Sequence, residues 1–328
     1  MTARDAARTK FFVLTGFLGS GKTTLLRGFL GTPDAADTAV IVNEAGEIGL
    51  DGAVLAQSAG GLPIAQLANG CVCCGLGSDL AWTVDALIAG RAERGEAPFR
   101  RIVLETSGIS KPGPILRALA PLAAHRMPVE VVATFDCVRG TDVATFAEAA
   151  AQWAGAHTIV PTKRDVPGAL DPTAAAACIA GLNPLAAVAN DATAAFSLAR
   201  APGRRTALAC DGPGAHPRIR VVLARQLRPI AWDDASAWLD NLAGLLGERL
   251  LRVKGVLDIA DQPRRVLVQA IGTAFASPAP FAGPHDRDGF LVLIGRDIEA
   301  GLLEQVEPVL PWRFGAQKDA LREEVVLA

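Results

Sequence analysis

Residues Gly16-Phe17-Leu18-Gly19-Ser20-Gly21-Lys22-Thr23 read G-x-x-x-x-G-K-[ST], between the apolar run Phe11–Thr15 and a helical stretch expected to begin near Thr24. The flanking strand and helix give the octapeptide its meaning. Glycines let consecutive backbone N–H groups turn inward around phosphate oxygens, and the helix N-terminus adds positive potential at the same place. Gly16, Gly19, Ser20, Gly21 and Thr24 are therefore candidate nucleotide-binding residues. Lys22 should reach the β/γ-phosphates as a point charge, and the Thr23 hydroxyl should ligate Mg²⁺. A chain that starts this way is committed to a P-loop sheet and to a nucleoside triphosphate.

The following sequence supports that architecture. Apolar, β-branched runs at Phe11–Thr15, Ala39–Asn43, Ile102–Glu105, Val129–Phe135, Thr158–Pro161 and, more weakly, Ala186–Ala189 alternate with longer helical stretches. Runs that are apolar throughout suit strands buried on both faces, as in a doubly wound, mostly parallel α/β sheet. At 328 residues the chain has room for two domains. Between Arg200 and Arg218 the Pro- and Gly-rich segment shows no helical or strand period, so it reads as a connection. Beyond it, strands are expected at Ile219–Leu227, Leu251–Ile259, Arg265–Ile271 and Gly289–Ile294. A helix over Asp233–Gly247 should be capped by Asp233, with Trp238, Leu242, Leu245 and Leu246 at helical spacing. The division expected is a P-loop domain over 1–205, a linker over 206–218 and a smaller α+β domain over 219–328.

Two segments bear on which nucleotide is bound. Thr162-Lys163-Arg164-Asp165 follows a short apolar strand, where a base-binding loop should lie. A carboxylate at Asp165 can accept both the N1 and N2 hydrogens of guanine, and adenine offers no such donor pair. A solvated charged turn would read the same from these residues alone. Ile102-Val103-Leu104-Glu105-Thr106-Ser107-Gly108 ends an apolar strand in an acid and places a glycine three residues later. Glu105 there can hold the Mg²⁺ hydration shell, and the Gly108 N–H can sense a γ-phosphate, which together make a nucleotide switch.

The six cysteines are too sparse for a disulfide scaffold, and three of them crowd into Cys71-Val72-Cys73-Cys74. Thiolates suit Zn²⁺ and other borderline or soft ions. With no second C-x-x-C and no neighbouring His, an open or transient site fits better than a closed structural one. The acidic loop Asn43-Glu44-Ala45-Gly46-Glu47-Ile48-Gly49 should lie beside the triphosphate. Glu47 is a candidate ligand to complete the thiolate site, and Glu44 a candidate for Mg²⁺ or water positioning. Cys137, Cys178 and Cys210 are expected to be small buried hydrophobes, and the isolated His125, His157, His216 and His285 structural or exposed. Net charge −2 gives no support to a nucleic-acid or membrane binder. No apolar run approaches the roughly 18–20 residues of a membrane-spanning helix. A cytoplasmic placement is expected.

With the P-loop, acidic loop, C-x-C-C, E-T-S-G and T-K-x-D elements in this order, the sequence resembles the CobW-type GTPases, relatives of the hydrogenase and urease nickel-insertion GTPases. Leu250-Leu251-Arg252-Val253-Lys254-Gly255 and Leu291-Val292-Leu293-Ile294-Gly295-Arg296 are similar to segments of the CobW C-terminal domain. The resemblance implies GTP binding and hydrolysis with Mg²⁺, and Zn²⁺ or Co²⁺ on the cysteine motif. It further implies metal delivery to a client protein, with a homodimer among the assemblies open to the chain. Thr162 stands where Asn is commoner, while Lys163 and Asp165 keep the pattern. The His-rich stretch of many relatives is missing. Competing readings are a P-loop kinase or ATPase acting on a small molecule, and a GTP-dependent regulatory switch with a structural cysteine cluster.

Overall fold

A computed structural model describes residues 8–43, 63–67, 77–199, 204–207, 216–281, 288–316 and 324–327. By contact the chain divides into two units. One comprises Met1–Val143, Ala156–Asp171 and Ala186–Arg200; the other comprises Ala144–Gly155, Pro172–Leu185 and Ala201–Ala328.

The first unit is built on seven strands: β1 (Lys10–Thr15), β2 (Thr38–Val42), β3 (Ile64–Gln66), β4 (Arg101–Glu105), β5 (Val129–Asp136), β6 (Thr158–Thr162) and β7 (Ala187–Val188). Their order is β3-β2-β4-β1-β5-β6-β7, and every pairing is parallel. Every residue of β2 and β4 is buried, as expected of strands covered on both faces. Arg101, buried within β4, stays satisfied because its guanidinium donates to the Phe196 and Asp34 carbonyls, each at 2.7 Å. The helix α1 (Lys22–Leu30) starts two residues earlier than expected, with Gly21 as its N-cap at φ 88°. It turns Leu26, Phe29 and Leu30 into a core with Phe12, Leu14 and Phe196. Each such burial contributes about 1.5–3 kcal/mol. The chain winds outward from β1 to β2 and β3, returns to β4 and then crosses β1 to β5. The P-loop thus leaves β1 where the winding reverses, the position at which doubly wound sheets bind ligands.

The second unit carries an antiparallel sheet. Its strands are β9 (Ile219–Gln226), β10 (Leu250–Leu257), β11 (Val266–Ile271), β12 (Ala274–Phe275), β13 (Ala279–Pro280), β14 (Phe290–Arg296) and β15 (Trp312–Ala316). They run in the order β12-β11-β10-β14-β9-β15, with β13 against β11. The helix Trp232–Leu246 buries Trp238, Leu239, Leu242 and Leu246. Trp238 lies 5.5 Å from the Trp312 ring. Leu245, expected on the same face, is 45% exposed. Asp233 does not cap this helix: Ala231 holds the N-cap, and Asp233 and Asp234 fall in the first turn, where acids favour the helix dipole instead.

Two helices from within the expected P-loop domain, Ala147–Gly155 and Pro172–Leu182, belong by contact to this second unit. The end of Ala147–Gly155 is satisfied there. Arg252 donates to the Gly155 carbonyl at 2.6 Å, and Asn183 donates to those of Trp153 and Ala154 at 2.8 and 3.0 Å. The segment read as a connection holds a strand, β8 (Arg204–Ala207), paired antiparallel with β16 (Glu324–Leu327). No helix among the described residues is long and apolar enough to cross a membrane.

Candidate nucleotide site

The C-terminal ends of β1, β4, β5 and β6 bring the P-loop, the E-T-S-G segment and the T-K-x-D segment to one edge of the sheet. Gly16 is buried at φ 151°, and a Cβ there would lie 1.9 Å from Thr134 Oγ1. Only glycine lets the loop pass so close to β5. Ser20 Oγ hydrogen-bonds Thr134 Oγ1 at 2.6 Å, which ties the middle of the loop to the same residue. Gly19 and Gly21 have φ of 69° and 88°. Thr24 is exposed on the first turn of α1. Lys22 folds back over the loop, donating to the Gly16 carbonyl at 2.9 Å and more weakly to that of Phe17 at 3.4 Å.

Thr23 and Glu105 meet as the sequence leads one to expect: Thr23 Oγ1 donates to Glu105 Oε1 at 2.6 Å. Glu105 is 4% exposed at the end of β4. A hydroxyl oxygen and a buried carboxylate side by side are the hard donors Mg²⁺ prefers. Bound with a nucleotide, that ion would be held by Thr23 and Glu105 and would neutralise charge on the β- and γ-phosphates. Gly108 has a packing contact that its sequence did not signal. A Cβ on it would stand 2.7 and 2.8 Å from the Leu18 backbone N and Cα, so the E-T-S-G loop packs directly on the P-loop.

In the T-K-x-D segment, Thr162 Oγ1 donates to the Ser20 carbonyl at 2.8 Å, and Lys163 donates to Asp136 at 2.7 Å. Asp165 is exposed. Asp136 was not singled out by its sequence, nor were Thr134 and Arg139. Its signal is the one that marks Glu105, an acid closing an apolar strand. Burial pushes the Asp136 carboxyl up, but the Lys163 hydrogen bond, the Val138 and Arg139 N–H groups and the Lys163 charge together hold it below the usual carboxylate range.

Glu44, Glu47, Cys71, Cys73, Cys74, Cys210 and His285 lie outside the described residues. Cys137 is buried as expected, whereas Cys178 is only partly so, with burial raising its thiol pKa. His125 bonds Asp85 at 2.6 Å, His157 Nδ1 accepts from the Val131 N–H at 2.9 Å, and His216 Nδ1 accepts from the Arg218 N–H at 3.3 Å.

Residues 10–190 match the family model "CobW/HypB/UreG, nucleotide-binding domain", and residues 219–306 match "Cobalamin synthesis protein cobW C-terminal domain". The chain belongs to the CobW/HypB/UreG family. Among CobW-type relatives it is 30% identical over 282 residues to the zinc chaperone YjiA of Escherichia coli, covering 81% of this chain and 86% of YjiA. It is 29% identical over 314 residues to the zinc chaperone CobW of a Sinorhizobium species, covering 79% and 84% of the two chains. The solved structure of Zn(II)-bound YjiA GTPase from E. coli shares the fold, with TM-score 0.66, 23% identity and coverage of 96% and 99%.

Proposed function

We propose that this GTPase uses the nucleotide state of its P-loop to control a thiolate site for Zn²⁺ or Co²⁺, and so loads a client metalloprotein. Cys71, Cys73 and Cys74 are the ligands in this reading, with Glu47 completing the site and Glu44 acting on Mg²⁺ or the attacking water. Guanine is held by Thr162, Lys163 and Asp165. The sequence division into 1–205, 206–218 and 219–328 is retained as the domain order, and the two family models on either side of 191–218 support it.

One observation carries the proposal. β3, β2, β4 and β1 are adjacent and parallel, so the chain leaves β3 at Leu67 on the same edge at which the P-loop leaves β1. Three strand spacings separate β3 from β1, roughly 14 Å. Cys71 follows Leu67 by four residues, a reach of at most about 14 Å. That reach supports reading a thiolate donor on this segment as a partner of the triphosphate edge. The zinc-chaperone names of YjiA and CobW favour zinc as the cargo. Zinc titration of the GTP-analogue-bound protein tests the ligand assignment. Cys73→Ser and Cys74→Ser should each abolish the tight site, and an unchanged stoichiometry and affinity in both would refute it.

A further inference from the structure

The end of β5 holds a polar cluster that the phosphate chemistry leaves unused. Asp136, the last residue of β5, is 2% exposed. Its Oδ2 accepts from Lys163 Nζ at 2.7 Å, and its Oδ1 accepts from the backbone N–H groups of Val138 and Arg139 at 3.0 and 3.3 Å. The turn so formed directs the Arg139 guanidinium onto the P-loop, where Nη1 donates to the Leu18 carbonyl at 3.0 Å. A second link runs beside it: the single hydroxyl proton of Thr162 is shared between the Ser20 carbonyl at 2.8 Å and the Phe135 carbonyl at 3.1 Å. The base loop and the phosphate loop are therefore joined by two polar routes, both anchored on the last residues of β5.

The base loop itself has little buried surface with which to keep its shape. Arg164, Asp165, Val166, Pro167 and Gly168 are all exposed. Lys163, at its start, has φ 55°, a left-handed conformation that residues with a Cβ seldom adopt. A side chain in that conformation needs a tether, and the Asp136 carboxylate supplies a charge-assisted one.

We propose that Asp136 is a positioning residue for base recognition: by holding Lys163 in its left-handed conformation it sets where the loop presents Asp165 to the base, at a distance from the phosphates fixed by Thr162 and Arg139. The inference rests on the guanine reading of Asp165 and adds to it the residue through which that reading is enforced. Asp136→Asn is the informative change, because the amide keeps the volume and an oxygen for the two backbone donors but removes the charge facing Lys163.

The experiment measures dissociation constants of GTP, GDP and ATP for the wild-type chain, Asp136→Asn, Lys163→Met and the double variant, with melting curves of each without nucleotide. GTP and GDP should bind about tenfold or more weakly to Asp136→Asn, ATP should be little changed, and the preference for guanine should fall by the same factor. Lys163→Met should give the same base-specific loss, and the double variant should lose no more than either single one. Equal weakening of GTP and ATP would mean that Asp136 serves only the fold or the phosphate loop. An unchanged preference would likewise overturn the proposal. If Asp136→Asn does not fold, Asp136→Glu, which keeps the charge but displaces it by one methylene from Lys163, takes its place: a base-specific loss is expected of it, and an unchanged preference for guanine would overturn the proposal. A wild-type chain that binds ATP as tightly as GTP would instead sink the guanine reading itself, and this proposal with it.

Discussion

Replacing Gly108 by Ala adds one methyl group at the contact between the E-T-S-G loop and the P-loop. Its Cβ would meet Leu18 Cδ2 at 2.6 Å, Leu18 N at 2.7 Å and Leu18 Cα at 2.8 Å. The side-chain carbon can move, but the other two atoms are P-loop backbone, and the Leu18 carbonyl is also bonded by Arg139. Relief therefore requires one loop to retreat from the other by several tenths of an ångström. Overpacking of this kind costs about 1–3 kcal/mol. If the whole cost falls on the nucleotide-binding arrangement, GTP affinity drops about 5- to 150-fold; if it falls on folding, melting drops by about 2–4 °C for each kcal/mol in a domain of this size. Gly301→Ala is the control, since a Cβ there has nothing within 4 Å. Isothermal titration with GTP and GDP, with calorimetric melting of the nucleotide-free protein, reads both channels. A Gly108→Ala protein matching wild type in affinity and melting would refute the loop-on-loop packing, and with it the idea that the E-T-S-G segment reports directly on the P-loop.

Glu105→Gln keeps the shape beside Thr23 but removes the charge, so the Mg²⁺ concentration needed for half-maximal GTP hydrolysis should rise about tenfold or more; a magnesium titration checks this. Asp165→Asn exchanges an acceptor pair for a mixed donor and acceptor, and it should cost GTP about 10- to 100-fold in competition assays while improving binding of xanthosine triphosphate. Arg252→Met strips the Gly155 carbonyl of its buried donor. It should destabilise the second unit by about 1–3 kcal/mol in urea unfolding, with GTP affinity unchanged. The depressed pKa of Asp136 means that its carboxylate contributes stability above its unfolded pKa, stability that is lost as pH falls through the lower folded value. Below about pH 4 the wild-type chain should therefore lose stability more steeply than Asp136→Asn, as pH-dependent melting would show.

The central sheet was legible because its strands are apolar on both faces: all five residues of β2 and of β4 are buried, and such runs stand out without any alternation. β3 was not, since Ile64-Ala65-Gln66 is too short to show a period. β8 escaped for a different reason. Its Arg204-Arg205-Thr206-Ala207 sits among prolines and glycines and pairs with Glu324–Leu327, more than a hundred residues away, a partner no local pattern can reveal. The same limit hid the affiliation of the helices Ala147–Gly155 and Pro172–Leu182, whose alanine-rich sequences show helix propensity but not which sheet they cover. In the site, motif residues were found because each has a fixed offset from its neighbours along the chain. Thr134, Asp136 and Arg139 act on loops 114, 27 and 121 residues away in sequence, respectively, so only three-dimensional proximity gives them a role.

The most direct test of nucleotide-controlled metal binding is the dissociation constant of Zn²⁺, measured by chelator competition with a non-hydrolysable GTP analogue bound and again with GDP bound. A difference of about tenfold or more is expected, mirrored by an equal factor in the GTP-analogue affinity with and without zinc, because linkage makes the coupling reciprocal. Equal zinc affinities in the two nucleotide states would contradict it.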